Sequence, residues 1–177
     1  MGAAHVSETG PGAGASAPST PGPGGAPLPA RLASTLSLLE GFERNDRIQV
    51  LVDIAGRFRP VSERIASRPY PAERRVPGCE SEAYVWAEPN AGGTLTFHFA
   101  VENPQGISAM ALAAILHDSV SGAPLEQVLA VPGDIIYRIF GSELSMGKSL
   151  GLMGMVNMIR AAARKHLAGT ASSQAGE

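Results

Sequence analysis

The chain has 177 residues, 44% of them hydrophobic and 17% charged, enough for one apolar core and one domain's worth of protein. Its formal net charge of -2 and pI near 6.1 give no concentrated basic surface for nucleic acid, and no segment approaches the roughly 20 apolar residues that span a bilayer. The N-terminus lacks the basic start and apolar run of a secretory signal, so with a single cysteine the expected compartment is a reducing cytoplasm.

Residues 1–29 are almost wholly Gly, Ala, Pro, Ser and Thr, and read as a disordered tail that cannot bury enough surface to offset the entropy of ordering. The folded part is expected over 30–168, with a flexible end at 169–177 after Gly169. Pro29 starts a helix in which Leu32, Leu36 and Leu39 share a face, and Gly41 ends it. In a second helix, capped by Asn45 or Asp46, Ile48, Leu51, Val52 and Ala55 recur at i, i+3, i+4 and i+7. Four prolines, Pro60, Pro69, Pro71 and Pro77, then deny long regular structure and predict a segment draped over the surface, with a helical turn around 62–66. Period-two patterning takes over in Ala83-Tyr84-Val85-Trp86 and again in 94–101, with a turn at Asn90-Ala91-Gly92-Gly93 between them. This is a hairpin with Leu95, Phe97, Phe99 and Val101 on its buried face. Asn103-Pro104 reads as cap and first residue of a helix carrying Ile107, Met110, Ala111, Ala114 and Ile115 on one side, stopped by Gly122. Short helices fit 124–130 and 132–140. A last one runs from about Ser149, aligns Leu152, Met155, Val156 and Ile159, and finishes in Arg160, Arg164, Lys165 and His166, cations suited to a helix C-terminus. Helices, antiparallel strands, then helices make an α+β fold with helices on one sheet face.

Cys79 is the one cysteine, so an intramolecular disulfide, a CxxC couple and a four-thiolate metal site are all excluded within the chain. A nucleophile, a one-sulfur carrier and a small buried filler remain open. Pro77-Gly78 before it argues for a tight, protruding turn. Arg74 and Arg75 favour a thiolate while Glu80 and Glu82 oppose it, which suits a passive acceptor better than a thiol that must initiate attack. The run Glu80-Ser81-Glu82 argues against full burial. His98 falls on the polar side of its strand and His117-Asp118 at a helix end, neither at metal-ligand spacing. Trp86 reads as a core anchor, and the methionines as core, with Met146 and Met153 the candidates to face a partner.

Around this cysteine the chain resembles the SufE family, whose hallmark is a glycine-cysteine-x-serine turn entering a strand that ends in tryptophan. Gly78, Cys79, Ser81 and Trp86 match in order, preceded by Arg75-Val76. Downstream, Leu144-Ser145, Lys148 and Gly151-Leu152 match the motif opening the family's last helix, and Pro124-Leu125-Glu126-Gln127-Val128-Leu129 resembles its proline-x-acid turn; the likeness runs over about 36–167. Against the family pattern, Ala83-Tyr84 lengthens the strand by two residues, which preserves side-chain parity. Lys148 stands for an arginine, keeping the charge and losing the bidentate fork, Leu150 for an amide, and Glu102 is the nearest carboxylate to Pro104.

The resemblance implies a SufE/IscU-like α+β fold with a three-stranded antiparallel sheet packed against helices on one face. It implies a non-enzymatic sulfur carrier that takes persulfide sulfur from a SufS-type cysteine desulfurase onto Cys79, activates that desulfurase, and passes the sulfur to a Suf-type iron–sulfur scaffold complex. Arg75, Gly78, Glu80, Ser81, Glu82 and Lys148 would support the loop or bind the partner. No cofactor or metal of its own is implied, pyridoxal phosphate being expected on the desulfurase, and neither nucleic acid nor membrane is an expected partner. Shielding of Cys79 between encounters would limit over-oxidation, and the loop is expected to swing out when the donor docks. The competing readings are a cluster scaffold, which needs several cysteines; a cysteine-nucleophile hydrolase using His98 or His117 as base; and an interaction module in which Cys79 is incidental.

Overall fold

The computed structural model describes residues 25–174, so residues 1–24 of the expected tail and 175–177 of the expected C-terminal end lie outside it. The core begins ahead of the expected boundary at residue 30, because Leu28 is already buried in it. In chain order the elements are α1 (Ala30–Glu40), α2 (Arg44–Gly56), a 3-10 turn (Ala72–Arg74), β1 (Ala83–Pro89), β2 (Leu95–Val101), α3 (Ile107–Val120), α4 (Leu125–Ala130), α5 (Ile135–Phe140) and α6 (Met146–Gln174). No helix among the described residues is long and apolar enough to cross a membrane.

The leucine spacing of α1 does what its period requires: Leu32, Leu36 and Leu39 are all buried in the core. In α2 only half of the expected face is used, with Leu51 and Ala55 buried while Ile48 and Val52 stay exposed. Its start also differs from expectation. Glu43 precedes the helix without a side-chain cap, and Asp46 lies inside the first turn, where its charge complements the helix dipole. Asn103 likewise does not cap α3; its Oδ1 accepts the Gln105 N–H at 2.9 Å, and its carbonyl accepts the Gly106 N–H at 2.9 Å. These bonds close a turn, and α3 starts after it at Ile107. Nine of the 14 residues of α3 are buried, which makes it the central helix.

β1 and β2 form an antiparallel hairpin in which Ala83 faces Val101, Trp86 faces His98 and Pro89 faces Leu95. The sheet has two strands and not the expected three. The chain ahead of Cys79 makes one bridge, Arg75 to Tyr84, with the Val76 N–H donating to the Ala83 carbonyl at 2.8 Å. The ladder stops there for a local reason: Pro77 has no N–H to donate, and Gly78, at φ +67°, turns the chain away. Val85, Leu95, Phe97 and Phe99 join the main core with α3 and α6. The other sheet face is covered by the proline-rich segment, which places Val61, Ile65, Ala66 and Tyr70 over Trp86 and Ala100. The Val61 N–H bonds to the Phe99 carbonyl at 2.7 Å, and Tyr70 meets Trp86 edge-on at 5.1 Å.

α6 starts three residues before the expected Ser149, because Ser145 caps it: its Oγ accepts the Lys148 N–H at 3.4 Å. It also continues through Gly169 to Gln174. One helical glycine costs about 1 kcal/mol relative to alanine, which does not end a helix that good helix formers such as Leu167 and Ala168 lead into.

Candidate functional site

Cys79 stands at the junction of two tight turns. In the first, Pro77 supplies the preset φ, Gly78 the positive φ of +67°, and the Cys79 N–H closes onto the Val76 carbonyl at 3.3 Å. In the second, the Glu82 N–H closes onto the Cys79 carbonyl at 3.1 Å, with Glu82 itself at φ +50°. Both arms of the loop are anchored by backbone bonds. The Val76–Ala83 bond holds the entry, and the Ser81 and Glu82 carbonyls accept the N–H groups of Asn103 and Glu102, each at 3.2 Å, at the exit.

The loop tip lies on α6, and glycine is what permits the approach. Gly147, Gly151 and Gly154 recur at i, i+4 and i+7 and face the turn. A Cβ on Gly151 would stand 3.0 Å from both Sγ and Cα of Cys79, one on Gly154 would stand 2.6 Å from Cγ1 of Val76, and one on Gly147 would run into the Glu80 carboxylate. Gly106 does the same beneath the exit arm, where a Cβ would meet Ser81 Cβ at 2.9 Å and Val101 Cγ1 at 2.8 Å.

Seated this way, Cys79 is 7% exposed. The thiol residue lines a cavity of about 160 Å³ together with Ser81, Gln105, Ser108, Lys148 and Leu152. On its other side lies an open depression bounded by Ala72, Arg75 and Gly78. The structure thus gathers Glu80, Ser81 and Lys148 around Cys79 on one side and Arg75 and Gly78 on the other. Arg75 and Glu82 bind each other at 3.1 Å, both about half exposed, so this arginine neutralises a loop carboxylate. Arg74 is not at the thiol; it lines a different cavity with Lys165 and His166. Glu102 is held by the guanidinium of Arg68 at 2.8 Å.

The histidines stand apart from the cysteine. His98 and His117 lie with ring centroids 5.8 Å apart, and both line a cavity that shares no residue with either depression beside Cys79. His98, which reads as a solvent-facing or packing side chain, is only 17% exposed, and its Nε2 lies 3.3 Å from Glu88. Burial holds this ring below its ordinary value, against the opposing pull of Glu88. His117 donates from Nδ1 to the Phe97 carbonyl at 2.7 Å. Neither ring is placed to act as a base toward Cys79, so the dyad that a cysteine hydrolase needs is not assembled. Beside Lys148, Met146 is 80% and Leu150 58% exposed. The sequence reading missed Gly106, Gly147 and Gly154; the available signal was three glycines at helical spacing in a helix they disfavour.

Fold and site together define a small α+β domain that presents a single thiol on a doubly turned loop. The chain belongs to the SufE family: the family model described as an Fe-S metabolism associated domain matches residues 32–163, well over half of its length. It is thereby a protein associated with iron–sulfur metabolism. The solution structure of a hypothetical protein from Thermus thermophilus is similar, with a TM-score of 0.64 at 27% sequence identity, covering 80% of this chain and 98% of that one. A search of curated proteins finds no match.

Proposed function

We propose that this chain accepts sulfur from a cysteine desulfurase and carries it, as a persulfide on Cys79, to an iron–sulfur assembly scaffold. The single observation that carries this reading is the seat of Cys79: the chain's one thiol, held nearly buried at the tip of a two-turn loop and remote from both candidate bases. In the step proposed, the Cys79 thiolate attacks the outer sulfur of the donor's persulfide. A new S–S bond forms on Cys79, the donor's S–S bond breaks, and the donor cysteine leaves as thiolate; no net oxidation occurs and no added reductant is needed. The desulfurase would bring its own pyridoxal phosphate. The small cavity beside Cys79 gives a terminal sulfur somewhere to sit out of bulk water, which slows its oxidation.

The test is intact mass after incubation with a cysteine desulfurase and L-cysteine. The expected result is a gain of one sulfur atom, removed by reductant and absent in Cys79→Ser. No gain with a desulfurase that turns over normally refutes the carrier reading. Colour after anaerobic reconstitution with iron and sulfide would instead favour a scaffold.

A further inference from the structure

A second cavity, of about 330 Å³, lies toward the C-terminal end of α3 beside residues 57–65 and shares no lining residue with the Cys79 cavity at the start of that helix. Its lining brings together Arg57, Arg59, Arg64, His98 and His117, against a single lining acid, Asp118. The cations are only partly matched. Arg64 is held bidentately by Glu88 at 2.9 and 3.1 Å, and the same carboxylate takes His98. Arg59 donates from Nη1 to the carbonyls of Phe58 and Arg57 at 3.1 and 3.3 Å, neither of which neutralises its charge. Among the described residues no carboxylate pairs with Arg57 or Arg59.

The two rings are fixed as well. A carbonyl only accepts, so His117 carries its hydrogen on Nδ1 and is left with Nε2 as an acceptor. Glu88 likewise fixes the hydrogen of His98 on Nε2 and leaves Nδ1. The O–H of a phosphate monoester's monoanion can donate to a ring nitrogen left as an acceptor, and guanidinium forks match the remaining phosphate oxygens. Phe58, Phe99 and Ala114 supply an apolar wall for the rest of such a molecule, and the volume is at the lower end of small-ligand sites.

We propose that this cleft binds a small phosphate monoester, at a site separate from the Cys79 loop. The test is a titration of the isotopically labelled full chain, followed by amide and imidazole NMR, with phenyl phosphate, inorganic phosphate, phenol and a phosphoserine peptide. The expected result is saturable shifts at Ser62, Arg64, His98 and His117 with phenyl phosphate. Binding is expected to weaken about tenfold or more in Arg57→Ala/Arg59→Ala, where two charge-assisted contacts are lost, and to be unchanged in Cys79→Ser. Absence of saturation, equal shifts with phenol, or wild-type affinity in the double variant overturns the proposal. A phosphoserine peptide binding tenfold tighter than phenyl phosphate also overturns it, in favour of a protein partner. Should the double variant lose its fold, Arg59→Lys keeps the charge without the fork; weaker binding supports the site and unchanged binding overturns it.

Discussion

Gly151→Ala tests whether α6 seats the thiol. The added Cβ would stand 3.0 Å from Sγ, 3.0 Å from Cα and 3.2 Å from Cβ of Cys79. All three lie inside the separation of about 3.5–4.0 Å that carbon contacts prefer. Because Cα is among them, a change of cysteine rotamer cannot relieve the clash, and the loop tip must retreat from the helix. Two effects on stability compete: alanine favours the helix by about 1 kcal/mol over glycine, and overpacking costs about 1–3 kcal/mol. The net change in stability is therefore small, between about zero and 2 kcal/mol of loss. The change at the thiol is larger in proportion, since weakening the seat by about 1–3 kcal/mol raises the population of the lifted loop roughly 5- to 150-fold. The assay is the rate of Cys79 modification by an aromatic disulfide reagent, beside a thermal unfolding curve. The control is Gly169→Ala, where an added Cβ meets nothing within 4 Å; it should leave the rate alone. A Gly151→Ala protein that is stabilised by the full helix increment and reacts at the wild-type rate would refute the seat.

Gly106→Ala puts a Cβ 2.8 Å from Val101 Cγ1, 2.9 Å from Ser81 Cβ and 3.0 Å from the Asn103 carbonyl, so it should lower Tm by roughly 2–12 °C, the equivalent of about 1–3 kcal/mol. An unchanged melting curve would show that the exit arm is not tightly packed. Glu82 holds φ +50°, a conformation costing most residues about 1–2 kcal/mol, and its ion pair with Arg75 is half exposed and worth about 0–1 kcal/mol. Glu82→Gly should thus stay within about 1 kcal/mol of wild type in urea unfolding while Glu82→Val loses more, and equal losses would contradict the assigned turn. His98 is held below its ordinary 6.5, chiefly by burial. As pH falls through about 6.5 the unfolded chain takes the proton first, so the ring's contribution to stability is full above that pH and shrinks below it until the folded ring also titrates. His98→Gln should flatten the fall in Tm between about pH 7 and pH 5, and a parallel fall in both proteins would exclude His98 as the cause.

What was legible in the sequence was local. Leu32, Leu36 and Leu39 bury because their spacing can face only one way, and Leu95, Phe97 and Phe99 bury because a strand alternates. The turn at Pro77-Gly78-Cys79 was legible because its φ requirements are written in residue types. What was not legible depended on competition or on distant contacts. Asn103-Pro104 has the residue types of a helix cap, yet the same side chain closes a turn when Gly106 follows it. The third strand expected from family resemblance was vetoed by Pro77 after one bridge. Gly147 and Gly154 carry no local signal of their role, since only the packed loop reveals what their missing side chains make room for. The separation of His117 from Cys79 is a property of α3, which carries Ser108 to one cavity and His117 to the other, and β2 sets His98 beside His117.

The anchoring of the loop bears on how a buried thiol can serve a partner. Both arms are tied by backbone bonds, Val76–Ala83 at the entry and Ser81–Asn103 at the exit, while the tip between them rests on glycine surfaces of α6. Lifting the tip needs neither anchor to break, and the contact it gives up is the modest packing area a glycine stripe offers. The turn bonds Cys79 to Val76 and Glu82 to Cys79 tie the tip to the anchored residues, so they limit how far residues 77–80 can swing. On the proposed reading, a docking partner that covers Met146 and Leu150 beside the loop would drive the rearrangement of residues 77–80. A thiol that had to attack dissolved substrates unaided would gain nothing from this arrangement, whereas one that is exposed only when its donor is in place is protected the rest of the time. On the proposed reading, sulfur transfer then follows the lifetime of the docked complex, and loosening the seat by Gly151→Ala should raise the acceptance rate at low donor concentration while making the free persulfide more easily oxidised.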